Sequence, residues 1–216
     1  MRGKPLLSVL RRFWTIRREE GWVALWFRIL GETVYRRVLF FSVELDDLRN
    51  PPAGITSRWL RAEEADAYAA FNPTLSAADV QHLLGRGYRC LIMEAGGRTV
   101  YGEWVATKQA WIDYLQMPLD VPDRTAYIFG AYTAVEERGK GYGTAAASMS
   151  KRMFLEEGLV RRLFCLQPDR GIAYPPVLKN PCRPIYYRGW FGLGPWRIPF
   201  RRATKGMPFY APRLRK

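Results

Sequence analysis

The stretch that decides the fold runs from Ala126 to Gly158. It reads AYIFGAYTAV over residues 126–135, EERGKGYGT over 136–144 and AAASMSKRMFLEEG over 145–158. The first block is rich in aromatic and β-branched residues and favours a strand. The third is rich in helix formers and closes on Gly158, a good helix terminator. The glycines of the middle block therefore sit between a strand and a helix start. That arrangement aims several backbone N–H groups at one spot, where the helix dipole adds partial positive charge. A pyrophosphate suits such a spot. Glycine is needed there because a side chain would keep the backbone away from the ligand, and because some positions need a positive φ. Two familiar phosphate loops fail on these residues. The Walker loop needs Ser or Thr after Gly-Lys, and Lys140 is followed by Gly141. The dinucleotide loop G-x-G-x-x-G, counted from Gly139, reaches Thr144 instead of a third glycine.

What remains is R-x-x-G-x-G, formed by Arg138, Gly141 and Gly143. Placed between this strand and this helix, it resembles the loop of the GNAT N-acyltransferase superfamily. The resemblance covers about residues 55–191. It implies an α/β (α+β) fold: a mixed, mostly antiparallel sheet flanked by helices, here with an added N-terminal helical segment. It implies that acetyl-CoA or another acyl-CoA binds as substrate, with Thr133, Val135, Arg138, Gly139, Lys140, Gly141, Gly143 and Thr144 contacting it. A strand over Val160–Gln167 would splay from the one ending near Val135, with the pantetheine arm in the gap. Family members continue with an asparagine, a tyrosine and Gly-Phe; here the run is Asn180, then Tyr186 and Tyr187, then Gly189-Trp190-Phe191. By resemblance Tyr187, and next to it Tyr186, would be the acid that protonates the leaving sulfur.

Working outward, the periodicity over Leu6–Phe41 predicts helix, broken near Gly21. Asp46–Gly54, with Asn50-Pro51-Pro52, reads as a linker. Ile55–Leu60 reads as a strand and Ala62–Phe71 as a helix. Ser76-Ala-Ala-Asp79 is a capping box opening a helix through Leu84. Tyr88–Glu94 and Arg98–Thr107 read as a hairpin turning at Gly96-Gly97. Ala110–Leu115 reads as a further strand. The expected organisation is a basic helical extension and linker over 1–50, an acyltransferase domain over 51–196 and a basic tail over 197–216.

The net charge is +14 in 216 residues, and its placement matters more than its size. Residues 1–41 carry nine Lys or Arg and three acids, and residues 197–216 carry seven and none, so the ends hold +13 between them. Basic ends call for an acidic partner: an anionic membrane surface, an acyl carrier protein or nucleic acid. No RNA-binding signature with stacking aromatics is visible. Cys90, Cys165 and Cys182 form no C-x-x-C pair, so neither a zinc site nor a dithiol motif is indicated, and no metal is expected. Few cysteines and no spanning segment point to the cytoplasm, peripheral at the inner face of the membrane.

Acyl transfer to an amine needs a base to free the amine's proton, donors for the oxyanion and an acid for the sulfur. Glu103 and Asp113 are the candidate bases. His82 is the only histidine, in a short helix far from the loop, and reads as a surface residue. The sequence thus points to an N-acyltransferase, most simply an acetyltransferase, using acyl-CoA on an unnamed amine. A donor carried by acyl carrier protein, and a nucleic-acid- or tRNA-binding protein, are the competing readings.

Overall fold

The computed structural model describes Trp22, Trp26 and residues 34–45, 54–167, 182–193 and 196–204. The described chain falls into two compact units. The larger holds Phe41 to Cys165 with Cys182 and Arg183; the smaller holds the described residues up to Phe40, Leu166 and Gln167, and those from Pro184 onward.

The larger unit is built on a mixed, mostly antiparallel sheet. Its strands are β2 (Ile55–Trp59), β3 (Arg89–Ala95), β4 (Arg98–Ala106), β7 (Thr125–Thr133) and β8 (Arg161–Leu166). The hydrogen-bonded order is β8-β7-β4-β3-β2; only the β7–β8 contact is parallel. The last residues of strand β1 (Tyr35–Glu44) run beside β8, where the amide of Leu45 donates to the Val160 carbonyl at 3.1 Å and Phe41 stacks on Phe164. Helices α1 (Ala65–Phe71), α2 (Ala77–Gly85) and α3 (Tyr142–Glu156) flank the sheet.

Local chemistry accounts for these elements. Ser76 caps α2 as its sequence pattern requires: its hydroxyl accepts from the Asp79 amide at 3.2 Å, and the Asp79 carboxylate accepts from the Ser76 amide at 2.9 Å. Along β4 the side chains alternate between the helices. Tyr101 faces α3, where it packs with Met93, Val100, Ala145 and Ala146. Gly102 faces α1, and a Cβ there would stand 2.7 Å from the Tyr68 hydroxyl, so glycine lets the Tyr68 ring lie flat across the strand. Farther along, Val105, Ala126, Ile128, Phe154 and Leu45 close the core under α3.

Three sequence expectations need correction. Residues 35–44 form a strand, not the end of a helix. Val38, Leu39, Phe40 and Phe41 are all at most 2% exposed, so this run is buried on both faces; a continuous apolar block carries no period that separates strand from helix. The strand expected over Ala110–Leu115 ends at Ile112 and pairs with an unanticipated strand, β6 (Met117–Asp120), in a two-stranded hairpin with β5 (Gln109–Ile112). Pro118 disguised β6; an isolated ribbon tolerates the missing donor. Residues 197–203, expected to begin a basic tail, lie in strand β10 (Trp196–Ala203), antiparallel to β9 (Arg183–Leu193). In the smaller unit β9 and β10 join the first part of β1 in a three-stranded ladder ordered β10-β9-β1. A Cβ on Gly189 would collide with the Arg36 carbonyl, and one on Gly192 with the Trp196 carbonyl, so both glycines are required by close backbone approach. The helix expected from Leu6 is outside the described residues except at Trp22 and Trp26, which are helical. The expected linker, Asp46–Gly54, is also outside them apart from Gly54.

Candidate active site

The quoted stretch folds as strand, loop and helix. β7 ends at Thr133, a single 3-10 turn spans Val135–Glu137, and α3 begins at Tyr142. Gly139 and Gly141 both adopt left-handed backbone, with φ of 82° and 85°. Gly141 is the N-cap of α3, and no side chain caps the helix; its first turn holds no acid. The amides of Thr144 and Ala145 both donate to the Gly141 carbonyl at 3.0 Å. Those of Gly139, Lys140, Gly141, Tyr142 and Gly143 donate to no backbone carbonyl among the described residues. Five consecutive amides without a described backbone partner thus lie at or just before the positive end of a 15-residue helix, the kind of backbone nest that suits an anion. The space above Gly139 and Gly141 is open, so what demands glycine is the positive φ rather than crowding.

Two basic residues flank the nest. Arg138 Nε donates to the Thr133 carbonyl at 3.3 Å, with its guanidinium 5.9 Å from the Tyr132 ring. Lys140 Nζ donates to Glu137 at 2.8 Å; that bond lowers the Glu137 pKa and raises that of Lys140. Val135 is 64% exposed at the loop's edge.

Beside the loop, the strands part. The parallel ladder of β7 and β8 ends at the pair Ile128 and Phe164, while β7 runs on to Thr133. Gly130, with φ of 58°, marks a bulge where the β4–β7 register slips. Gly130 and Ala131 are exposed, and past Ile128 no described strand pairs with β7 on the side facing away from β4. A cleft of about 520 Å³ opens near the end of β7, lined by Ala67, Phe71, Arg98, Thr99, Tyr132 and Glu136. None of these six was singled out from the sequence. Their assembly depends on α1 and the start of β4 meeting the end of β7, which no spacing along the chain reveals.

No family model matches the chain, and no curated protein matches it. Solved structures do. A GCN5-related N-acetyltransferase from Sphaerobacter thermophilus aligns over 83% of this chain and 56% of its own, with 12% identity and a TM-score of 0.51. A glucosamine N-acetyltransferase region of a fungal multi-domain GH3 β-N-acetylglucosaminidase aligns over 76% of this chain and 20% of its own, with 15% identity and a TM-score of 0.52. The chain has the GNAT fold. A functionally unknown conserved protein from Staphylococcus epidermidis matches at 13% identity over 76% of this chain and 64% of its own, with a TM-score of 0.54. This chain spans 55% of another structure it matches, a Drosophila protein.

Within the GNAT fold the eight loop residues named from the sequence run from the last residue of β7, Thr133, to the first turn of α3, at Thr144. Glu103 is placed differently. It is fully buried beneath α3, where Oε2 accepts from Tyr101 at 2.8 Å and from Arg162 at 2.7 Å. Arg162 also reaches Ser150 of α3 at 3.4 Å. Burial, reinforced by the neighbouring carboxylate, pushes the Tyr101 phenol well above its ordinary pKa, so it stays a donor. Asp113 is exposed in the β5–β6 turn, and His82 is exposed on α2. Tyr186 and Tyr187 lie on β9 in the smaller unit and point to opposite faces of its ladder. Tyr186 is 9% exposed, stacked on Phe40 at 4.7 Å with the Arg201 guanidinium 4.0 Å over its ring. Tyr187 is half-buried, with the Arg37 guanidinium 5.4 Å from its ring.

Proposed function

We propose that the protein is an N-acyltransferase that moves an acyl group, most simply acetyl, from acyl-CoA to an amine. The observation that carries this reading is the run of five undirected amides at the uncapped start of α3, beside a strand whose backbone is open past Ile128. The amides, with Arg138 and Lys140, would take the pyrophosphate; the open backbone of β7 would take the amides of the pantetheine arm. The cleft lined by Tyr132, Arg98 and Glu136 is the entry we assign to the acceptor, with the Glu136 carboxylate there to attract a cationic amine. Buried and doubly bonded, Glu103 is better suited to holding β4 to β8 than to relaying protons. Because a tyrosine clamped between Phe40 and a guanidinium has little freedom to reach a leaving group, Tyr187 rather than Tyr186 is the acid we favour.

Calorimetry with acetyl-CoA tests the loop. Gly141→Glu puts a side chain on a left-handed backbone and a carboxylate in an anion nest, so it should abolish binding while the fold persists. Unchanged affinity would remove the loop from the reading. Tyr187→Phe should slow turnover by about 10²–10⁴-fold at nearly unchanged CoA affinity. Full rate in both Tyr187→Phe and Tyr186→Phe would withdraw the acid role from this strand.

A further inference from the structure

The hairpin of β9 and β10 has two unlike faces. Cross-strand partners share a face, and neighbours along a strand alternate. On one face Leu193 stands opposite Trp196 and Phe191 opposite Ile198. These four side chains are 73%, 82%, 48% and 60% exposed. Behind them Phe191 stacks on Phe200, and Phe200 on Tyr35 of β1, which continues the apolar surface. On the other face Arg197 and Arg201 lie over the rings of Trp190 and Tyr186 at 4.5 and 4.0 Å. The described residues of the smaller unit's ladder carry six arginines, at 36, 37, 188, 197, 201 and 202, and no Asp or Glu.

We infer that this hairpin docks the protein on an anionic lipid bilayer, with the apolar tip entering below the phosphates and the arginines at headgroup level. The charge fixes the sign of the partner: β10 exposes three arginines, Arg197, Arg201 and Arg202, and holds no acid, which is complementary to an anionic surface. The tip fixes its kind. A tryptophan beside arginines suits the interfacial layer, where the ring and the guanidinium both find partners. Leu193 and Ile198 have no use on a nucleic acid, which is read by phosphate contacts and by stacking rings. A second copy of the chain is disfavoured twice. Two such ladders would set like charges against each other. Pro199, Arg201 and Arg202 also blunt β10, the last strand of the ladder, against strand addition. The sequence placed the basic docking surface at both chain ends; docking is assigned to the C-terminal hairpin, where exposed arginines and exposed apolar side chains share one described element.

Co-sedimentation of the full chain with vesicles tests the inference. The wild type should pellet with vesicles of phosphatidylcholine containing one-third phosphatidylglycerol at low salt, release at high salt, and stay in solution with pure phosphatidylcholine. Leu193→Ser combined with Trp196→Ser should weaken partitioning roughly tenfold or more, because the lost contact is apolar area. Arg197→Gln should weaken it roughly fivefold, the worth of one charge near an anionic leaflet. Both changes fall on exposed side chains, and an unchanged melting temperature certifies the fold. Brominated lipid should quench tryptophan fluorescence of the wild type and quench Trp196→Phe less. Trp22→Ser with Trp26→Ser should leave partitioning intact. Loss of binding in that variant with retention in the hairpin variant would overturn the inference. So would equal pelleting with neutral vesicles, or retention of RNA or an acidic carrier protein with no vesicle binding. A concentration-dependent dimer that Trp196→Ser dissolves would overturn it as well.

Discussion

Glu103 carries the chemistry of a base in the surroundings of a structural acid. A carboxylate on a strand next to β7, the strand proposed to hold the donor, invites the role of base. In the fold its side chain points under α3, is fully buried, and is bonded to Tyr101 and Arg162. The expected consequence is structural. Glu103→Gln strips Arg162 of its buried counter-charge and should cost roughly 3–5 kcal/mol, read as a fall in melting temperature or denaturant midpoint. Replacing Glu103 and Arg162 together with leucine should recover much of that loss, since a well-packed apolar pair avoids the desolvation of two charges. A base would instead show itself as an altered pH–rate profile at unchanged stability. Which way a side chain points on a strand follows from register, and a single sequence offers no register for β4; Glu103 was legible as a candidate, its burial was not.

At the level of elements, short-range chemistry was the readable part. The α2 capping box, the Gly96-Gly97 hairpin and the strand–loop–helix of β7 and α3 each rest on contacts within a few residues, and each stands where its sequence signals put it. Ser76→Ala should therefore cost about 1 kcal/mol in chemical denaturation, as the loss of an N-cap does elsewhere. What escaped reading depends on distant partners. Residues 35–44 become a strand through partners far off in sequence; alone, the run RRVLFF fits either period. β10 escaped because alternating arginines and apolar residues look like a solvated tail until β9 is there to pair with them. The loop between β7 and α3 was legible down to the glycines that take its left-handed backbone. The cleft beside it was not, since it needs α1, β4 and β7 brought together.

For the molecule as a whole, acid should be the weak direction. Glu64 accepts from both terminal nitrogens of Arg58 at 2.8 Å, and Arg58 also reaches Glu94, tying the turn before α1 to β2 and β3. These bonds, with those from Arg61, hold the Glu64 pKa at about 2, against an ordinary 4.5. A carboxylate depressed in this way contributes its stability in full above about pH 4.5 and loses it as pH falls toward 2. After allowance for the partial exposure of Arg58 this is about 1 kcal/mol. Melting temperature followed downward through that window should drop in wild type, and drop less in Glu64→Gln, which starts lower. The parting of β7 from β8 has a different consequence, for the life of the protein when donor is scarce. A strand edge laid bare inside a sheet is as good a template for a stray polypeptide as one at its rim. On the proposed reading, the molecule that fills the gap during turnover also stoppers it, so substrate supply would protect the chain from clumping as well as feed the reaction. Gly130, by kinking the bare strand out of line, would be the safeguard that works when the gap stands empty.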